Sequence, residues 1–439
     1  MKKLFFIFFI NLIFSVLLFL SLRLKILDGE YKFNYLIFFI FCLITIWSLL
    51  FLNKSKLIFI STNIYIILII NFLLTPIFFQ KTYDVPVRLP NYIEEIEYKG
   101  EYFEGLWTGK HTITTDDKGF RTNSKINYKK KDKDVFRILT IGGSTTEENG
   151  TDDNKTWSAL VAKNIGSITN KKVELVNKGL SGLRAKHHYL SLLRSKNLNP
   201  DLVIFLIGIN DWNYHINNRH VDFIFPYVEI NFNFEYSILS KISNNIRKQL
   251  ERKLNIKSGK DIKRTFPTPS KVEEKNIDGK IYKYSYTTDK KFEDWLKPIS
   301  NSLSRQTIVN YDPKDVFEEY KNWIRLIYKE CKKSFTCIIL NQPNAYDSNA
   351  DESLKKRFWM TPPYADYTIS LNNLVHIADL YNSWILEEAK KEKIFACDLA
   401  SDFKPTMEYF IDECHFSENG SKFASVHITN CIKKFDIIN

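Results

Sequence analysis

Two local signatures of metal and nucleotide sites are missing from this sequence. It has 6 cysteines in 439 residues, and no two of them form a Cys-x-x-Cys pair. The spacing typical of zinc ribbons and thiol redox sites is therefore absent. It has 15 glycines, and none is followed by Lys-Ser or Lys-Thr, so the sequence contains no Walker-type phosphate loop.

A concentrated stripe of positive charge is also missing. The chain carries 62 Lys and Arg against 50 Asp and Glu, a formal charge of +12. The lysines are scattered, and their clearest cluster is Lys129–Lys131 in a polar segment. Because nucleic-acid binding requires a basic stripe or a known module, we predict a lysine-rich surface and no nucleic-acid partner. Attraction to anionic lipid or to an acidic glycan stays open.

Long apolar runs occur only near the N-terminus. They cover Leu4–Leu22, Tyr35–Leu52 and Leu57–Phe79. About 20 apolar residues suffice for a helix to cross a bilayer, so we predict three transmembrane helices within residues 1–80. A cleaved signal peptide is the alternative for the first run, although no Ala-x-Ala-like site follows it and Ser21–Lys25 is bulky and basic.

Basic residues beside these runs suggest an orientation. Lys2 and Lys3 favour a cytoplasmic N-terminus, and the loop 53–56 then also faces the cytoplasm. The first loop carries basic residues that weaken this bias: Arg23, Lys25 and Lys32. With three spans, everything after Gln80 lies outside the cytoplasm. We therefore expect a multi-pass protein of the inner (plasma) membrane with a periplasmic or extracellular catalytic domain.

The remaining chain divides into a connector and an α/β domain. Residues 81–134 are predicted as a polar connector, and residues 135–435 as the catalytic domain, with an insertion or cap at about 212–310. Strands are predicted at Val135–Ile141, Val173–Val176, Leu202–Ile207, Phe335–Leu340 and Ile394–Leu399. Helices are predicted at Thr156–Ile168, Arg184–Lys196, Val316–Lys333, Thr368–Lys391 and Asn419–Lys433. This alternation predicts a parallel sheet with helices on both faces.

Five cysteines follow the predicted spans. They are Cys331, Cys337, Cys397, Cys414 and Cys431. Because five is odd, at most two disulfides can form among them and at least one thiol remains. Their pairing is not determined by the sequence. Cys414 adjoins His415, where it could close a loop or act as a small buried hydrophobe.

Polar side chains follow the predicted strands at the edge where ligands bind in such sheets. Ser144 follows two glycines, which permit a tight turn and leave room beside the backbone. Asp412 and His415 lie three residues apart, so a carboxylate can orient the imidazole that accepts the serine proton. Gly182 and Asn210 follow two further strands. With the N–H of Ser144 they can stabilise an oxyanion.

Taken singly, each of these motifs has a simpler interpretation. Gly-Gly-Ser-Thr is more often a helix cap, Asp-x-x-His is usually structural, and Asn-Asp after a strand is an ordinary turn. Their order and their common placement after strands favour a site. The sequence therefore predicts a serine nucleophile with a histidine base.

Together the four motifs resemble the four blocks of SGNH (GDSL-type) hydrolases. The matching residues are Ser144 in Gly-Gly-Ser-Thr-Thr, Gly182 in Asn-Lys-Gly-Leu-Ser-Gly, Asn210 in Gly-Ile-Asn-Asp, and Asp412 with His415 in Asp-Glu-Cys-His-Phe. The resemblance covers roughly residues 135–434 without the insertion. The first block departs from Gly-Asp-Ser-Leu but keeps the serine and a flexible neighbour.

This resemblance implies a fold and a mechanism. The fold would be a flavodoxin-like three-layer α/β/α sandwich. Ser144 would be the nucleophile, His415 the base and Asp412 its orienting carboxylate. The oxyanion hole would consist of the N–H groups of Ser144 and Gly182 and the amide of Asn210. No metal or other cofactor would be needed.

Three hypotheses for function follow. The first is a membrane-anchored esterase that removes an acyl group, most simply acetyl, from an exported glycan, with lipid esters as an open alternative. The second is an O-acetyltransferase that works with a membrane acyltransferase in surface-polysaccharide modification. The third is a non-catalytic glycan-binding or scaffold protein. The presence of all five site residues argues against the third.

Overall fold

The computed structural model describes residues 87–99, 109–169, 171–216, 270–297, 307–308, 310–358 and 367–438. All of them belong to one compact unit, Val87–Asp222 together with Ile262–Asn439. The three predicted membrane spans lie outside the described residues, so they stay a prediction. Of the helices in the described ranges, none combines the length and apolar character that a bilayer crossing requires.

Strands and helices alternate from residue 135 onward. The strands are β1 (Tyr92–Lys99), β2 (Gly109–Thr114), β3 (Arg121–Thr122), β4 (Val135–Gly142), β5 (Lys172–Asn177), β6 (Leu202–Leu206), β7 (Lys271–Ile277), β8 (Lys280–Thr288), β9 (Thr307–Ile308), β10 (Cys337–Leu340), β11 (Tyr367–Thr368) and β12 (Phe395–Cys397). The α-helices are α1 (Ser144–Glu147), α2 (Trp157–Thr169), α3 (Ala185–Leu193), α4 (Ile209–Ile216), α5 (Asp289–Leu296), α6 (Lys314–Ser334), α7 (Glu352–Lys355), α8 (Leu371–Lys391) and α9 (Glu418–Lys434). Short 3₁₀ turns cover Lys196–Leu198 and Ala400–Asp402.

The central sheet has six strands in the order β12-β10-β6-β4-β5-β3. Five of them pair in parallel, and β3 adds an antiparallel edge beside β5. Every residue of β4 and of β6 is buried, as expected for strands covered on both faces. This confirms the predicted α/β fold with a parallel sheet.

The order of the parallel strands determines where a site can lie. Numbered along the chain, the five parallel strands run 2-1-3-4-5 across the sheet, the order typical of flavodoxin-like folds. The chain moves outward in opposite directions from β4 and β6, so these neighbours form the switch point. A crevice opens there outside the carboxyl ends of the two strands. Ser144 follows β4 and Asn210 follows β6.

Helices cover both faces of the sheet. On one face α2 packs against α9, and on the other α6 packs against α3, α4 and α8. The predicted helix starting at Thr368 begins instead at Leu371, because the Ser370 side chain caps it by accepting from Asn373 N–H. Thr368 belongs to β11, which pairs with β9.

A second, four-stranded sheet joins two regions that the sequence suggested were separate. Its order is β2-β1-β8-β7. β1 and β2 come from the predicted connector, whereas β7 and β8 come from the predicted insertion, and β1 pairs with β8 in parallel. We call it the accessory sheet. The connector also contributes β3 to the central sheet, so ordered structure begins well before Val135.

The five cysteines after the predicted spans form two disulfides and leave one free thiol, within the limit set by their odd number. Disulfides join Cys331 to Cys337 and Cys397 to Cys431. Cys414 is buried and is the free thiol among the described residues. It therefore packs as a small hydrophobic side chain beside the candidate site.

Candidate active site

Two glycines at the end of β4 shape the turn that presents Ser144. A β-carbon on Gly142 would lie 2.0 Å from Thr146 Oγ1 and 2.7 Å from the Leu206 carbonyl oxygen. A β-carbon on Gly143 would lie 2.2 Å from Asn210 Nδ2. Both positions therefore need glycine for close packing. Ser144 is the first residue of α1, where backbone N–H groups face outward from the helix.

The loop after β12 holds the histidine and its carboxylate. Asp412 Oδ1 accepts hydrogen bonds from the N–H groups of Cys414 (2.9 Å) and His415 (2.8 Å). Its other oxygen lies 2.7 Å from His415 Nδ1. The backbone of the loop is closed by the Ile411 N–H, which donates to the His415 carbonyl at 2.9 Å. One carboxylate thus orders both the loop and the imidazole.

The two ends of the catalytic domain meet at Ser144. His415 Nε2 lies 2.8 Å from Ser144 Oγ, across 271 residues of chain. The structure therefore brings together Ser144, His415 and Asp412, the three residues of the predicted triad. A nucleophile, a base and a group that orients the base within hydrogen-bond reach form the arrangement that activates an alcohol.

The charge environment favours a basic imidazole. Burial opposes the charged form of His415, but the Asp412 carboxylate, with Glu147 and Glu148 further away, raises its pKa above the usual value. Burial likewise opposes ionisation of Asp412, yet the charge and hydrogen bonds of His415 and the N–H of Cys414 lower its pKa. The pair is therefore suited to accept a proton on His415 while Asp412 stays ionised.

The three predicted oxyanion donors converge beside Ser144. Asn210 Nδ2 donates to the Leu183 carbonyl at 2.9 Å, which places this amide next to both Gly182 and Gly143. Gly182 takes a left-handed conformation with φ 78°. Among the described residues, no acceptor binds the N–H of Ser144 or of Gly182. These donors, with the second hydrogen of the Asn210 amide, remain for a developing oxyanion.

Two side chains near the site were missed by the sequence analysis. Glu147 is 2% exposed and its Oε2 accepts from the N–H of Ser181 at 2.8 Å and from the Ser181 hydroxyl. Its other oxygen pairs with Arg88 Nη2 at 2.7 Å. The signal was available, since Ser-Thr-Thr-Glu has the spacing of a capping box. In the structure Glu147 binds the neighbouring loop instead of capping its own helix.

The same loop contains three atoms that could in principle ligate a metal. Atoms of Asp412, Cys414 and His415 all lie within 4.8 Å of one another. Burial raises the pKa of the Cys414 thiol well above its usual value, and a protonated thiol is a poor ligand. His415 Nδ1 is already engaged by Asp412. These residues fit a catalytic triad better than a metal site.

Comparisons with known proteins give matches among solved structures alone. No protein-family model and no curated protein sequence matches the chain. Among solved structures it is similar to an acetyl xylan esterase from Geobacillus stearothermophilus (13% identity, 68% of this chain and 96% of that chain, TM-score 0.34). It is also similar to a member of the lipolytic G-D-S-L family from Veillonella parvula (11%, 68% and 99%, 0.33) and to a lipase/acylhydrolase from Enterococcus faecalis (14%, 68% and 96%, 0.32). At these values the similarity carries no conclusion, and function must be inferred from the site.

Proposed function

We propose that this protein is a serine esterase that hydrolyses an O-acyl ester through Ser144, His415 and Asp412. The observation that carries the proposal is the continuous hydrogen-bonded line from Ser144 Oγ through His415 to Asp412, with distances of 2.8 Å and 2.7 Å. The free donors of Ser144, Gly182 and Asn210 lie beside the same serine.

The geometry supports a two-step acyl transfer. His415 Nε2 takes the proton of Ser144 as Oγ forms a bond to the ester carbonyl carbon. The carbonyl oxygen becomes negative and is stabilised by the donors of Gly182, Asn210 and Ser144. The bond to the alkoxy oxygen then breaks, and His415 returns the proton to the departing alcohol. Water repeats the sequence on the acyl-enzyme, with the proton again passing through His415, and the acid is released.

A small acyl group is the best match to the space beside the serine. A small cavity adjoins Ser144 and His415. Its other lining residues are Thr145, Glu148, Asn149, Thr151, Ser181, Ile411 and Phe416. The small size of this cavity suits acetyl better than a long hydrocarbon chain. An acetylated glycan outside the cytoplasm is the substrate class that we propose, in keeping with the three predicted spans in residues 1–80.

The test uses the full chain purified in detergent. We expect hydrolysis of p-nitrophenyl acetate to exceed that of p-nitrophenyl octanoate. Ser144→Ala and His415→Ala should each lower kcat by about 10⁴-fold or more, whereas Ser167→Ala, a surface helix serine that donates to the Lys163 carbonyl at 3.1 Å, should leave it unchanged.

Two results would overturn the esterase proposal. One is a folded wild-type chain that neither hydrolyses esters nor reacts with a fluorophosphonate probe at Ser144. The other is a folded chain that reacts with the probe at Ser144 but, without the probe, passes acetyl to an added sugar and never to water, which would identify a transferase. Octanoate preferred over acetate would contradict the short-acyl assignment alone.

A further inference from the structure

We propose that Arg88 is a positioning residue for catalysis, acting through Glu147 on the loop that carries Gly182. This inference rests on the proposed esterase function. It assigns a catalytic purpose to the connector, which contributes no residue to the triad or to the oxyanion hole. Its support is a line of alternating charges that runs from the accessory sheet to the active site.

The last link of this line is Glu147. It lies on α1, three residues after Ser144, and its side chain is 3% exposed. Through Oε2 it accepts two hydrogen bonds from Ser181, the neighbour of Gly182. A single carboxylate therefore fixes the distance between the helix of the nucleophile and the loop of an oxyanion donor. A shift of about 1 Å in such a donor can cost 10²-fold in rate.

Arg88 supplies the opposite charge that this buried carboxylate requires. Its Nη2 lies 2.7 Å from Glu147 Oε1 and donates to Asn149 Oδ1 at 2.8 Å. Its Nη1 lies 3.6 Å from Glu94 Oε2 on β1, and the other oxygen of Glu94 pairs with Lys283 Nζ on β8 at 2.6 Å. The Arg88 and Glu94 side chains are only 11% and 10% exposed. Because a buried charge without its partner is strongly disfavoured, Arg88 is the countercharge that holds the Glu147 carboxylate in place.

A second set of contacts from the connector fixes the backbone beyond Glu147. Arg121 on β3 donates from Nη1 to the Glu147 carbonyl at 2.6 Å and from Nη2 to the Thr151 carbonyl at 2.7 Å. The Thr112 N–H on β2 donates to Asp152 Oδ1 at 2.8 Å. With this backbone fixed independently, removal of the Arg88 side chain should disturb the Glu147 carboxylate more than the fold.

Arg88 also affects the base through charge. Asp412 acts on His415, as do Glu147 on α1 and Glu148 after it. Burial raises the pKa of Glu148 itself to about 8. Cys414 lies on the loop of His415 but is a neutral thiol. Arg88 offsets the charge of Glu147. Its removal should therefore make His415 more basic, and removal of the Glu147 charge should make it less basic.

The test compares Arg88→Ala and Glu147→Gln with Lys110→Ala in the full chain. Lys110 is a matched control because it forms an ion pair of 2.7 Å with Glu95 on the opposite face of the same sheet. We expect Arg88→Ala and Glu147→Gln to lower kcat for p-nitrophenyl acetate by about 10- to 100-fold, with KM changed by less than about twofold. Arg88→Lys should restore part of the loss.

The pH profile distinguishes positioning from simple support of the fold. The acid limb of kcat/KM should move to higher pH in Arg88→Ala and to lower pH in Glu147→Gln, and stay in place in Lys110→Ala. Loss of activity with a lower Tm but an unmoved acid limb would overturn the proposal. So would an Arg88→Ala variant with wild-type kcat.

Labelling by a fluorophosphonate separates this proposal from the esterase proposal. If the wild-type chain does not react at Ser144, the esterase function itself fails. If the wild type reacts and Arg88→Ala reacts at the same rate, the function stands and the role of Arg88 is rejected. Should Arg88→Ala not fold, Ser181→Ala removes only one hydroxyl from the line. A wild-type labelling rate in that folded variant, with an unmoved acid limb in Glu147→Gln, also rejects it.

Discussion

The central sheet and the accessory sheet differ in almost every property that a sequence displays. β6 is a continuous apolar run and wholly buried, whereas β7 reads Lys-Val-Glu-Glu-Lys-Asn-Ile and is largely exposed. The central strands are buried on both faces, so their composition alone identifies them. The accessory strands pair residues far apart in sequence, such as Glu94 with Lys283 at a separation of 189. Local patterns predict a sheet well only where its strands are apolar.

The largest effect is expected from a substitution in the site that the central sheet positions. Asp412→Asn should lower kcat by about 10⁴-fold, because an amide cannot hold the His415 tautomer that accepts the serine proton. Asp402→Asn is the matched control, since Asp402 lies 2.8 Å from His427 in another, exposed carboxylate–histidine pair. The measurement is kcat of both variants from steady-state kinetics. An Asp412→Asn enzyme with more than about a tenth of wild-type kcat would contradict the triad assignment.

This site could be predicted from the sequence because its residues follow the ends of strands. Ser144, Gly182 and Asn210 each come shortly after an apolar strand, and parallel strands bring their carboxyl ends to one edge. Asp412 and His415 come from a loop whose internal hydrogen bonds to the Asp412 carboxylate involve only Asp412, Cys414 and His415. The motif order therefore contained most of the geometry, although the sequence alone could not exclude the simpler interpretation of each motif.

The ion pair of Arg88 with Glu147 could not be predicted, for the opposite reason. Arg88 lies in a polar segment with no periodicity, and its partners are brought to it by the pairing of β1 with β8. In β1 only Tyr92 and Glu94 are buried and most other residues are half-buried. Such a strand gives too weak an alternation of apolar and polar residues to fix its register. Ion pairs between distant segments depend on that register. They become visible only once the fold is known.

Stability should also differ between the two sheets. Phe205 in β6 is 0% exposed, whereas Val272 in β7 is 51% exposed. Phe205→Ala should lower the free energy of unfolding by about 3–5 kcal/mol because it leaves a cavity, and Val272→Ala should change it by less than about 0.5 kcal/mol. Thermal or denaturant unfolding of the two variants makes the comparison. Equal losses would mean that the accessory sheet buries as much apolar surface as the core.

The close packing of Asn210 against the turn after β4 can be tested by adding one methyl group to Gly143. Gly143→Ala places a β-carbon 2.2 Å from Asn210 Nδ2, so the amide must move away from the oxyanion position. We expect kcat to fall by about 10²- to 10³-fold, as for Asn210→Ala. The double variant should be no worse than either single variant, because both remove the same donor.

Gly166 offers the control for this substitution. A β-carbon on Gly166 would make only ordinary contacts, the nearest at 3.6 Å from a Val173 methyl group. It lies within α2, where alanine is favoured over glycine, so Gly166→Ala should keep wild-type kcat and not lower the Tm. Additive losses in the Gly143→Ala, Asn210→Ala double variant would show that Asn210 is not the group displaced.

The smallest expected effect lies within the accessory sheet, between its two faces. Lys283 and Glu94 pair at 2.6 Å with side chains 29% and 10% exposed, whereas Lys110 and Glu95 pair at 2.7 Å with side chains 51% and 38% exposed. Solvent screens the second pair more strongly. A double-mutant cycle of unfolding should give a coupling of about 1 kcal/mol for Lys283 and Glu94, and none beyond experimental error for Lys110 and Glu95. Since Arg88 also contacts Glu94, the coupling between Lys283 and Glu94 should be smaller in an Arg88→Ala background. An unchanged coupling energy in that background would mean that the pair of Lys283 and Glu94 is independent of the line of charges that reaches Glu147.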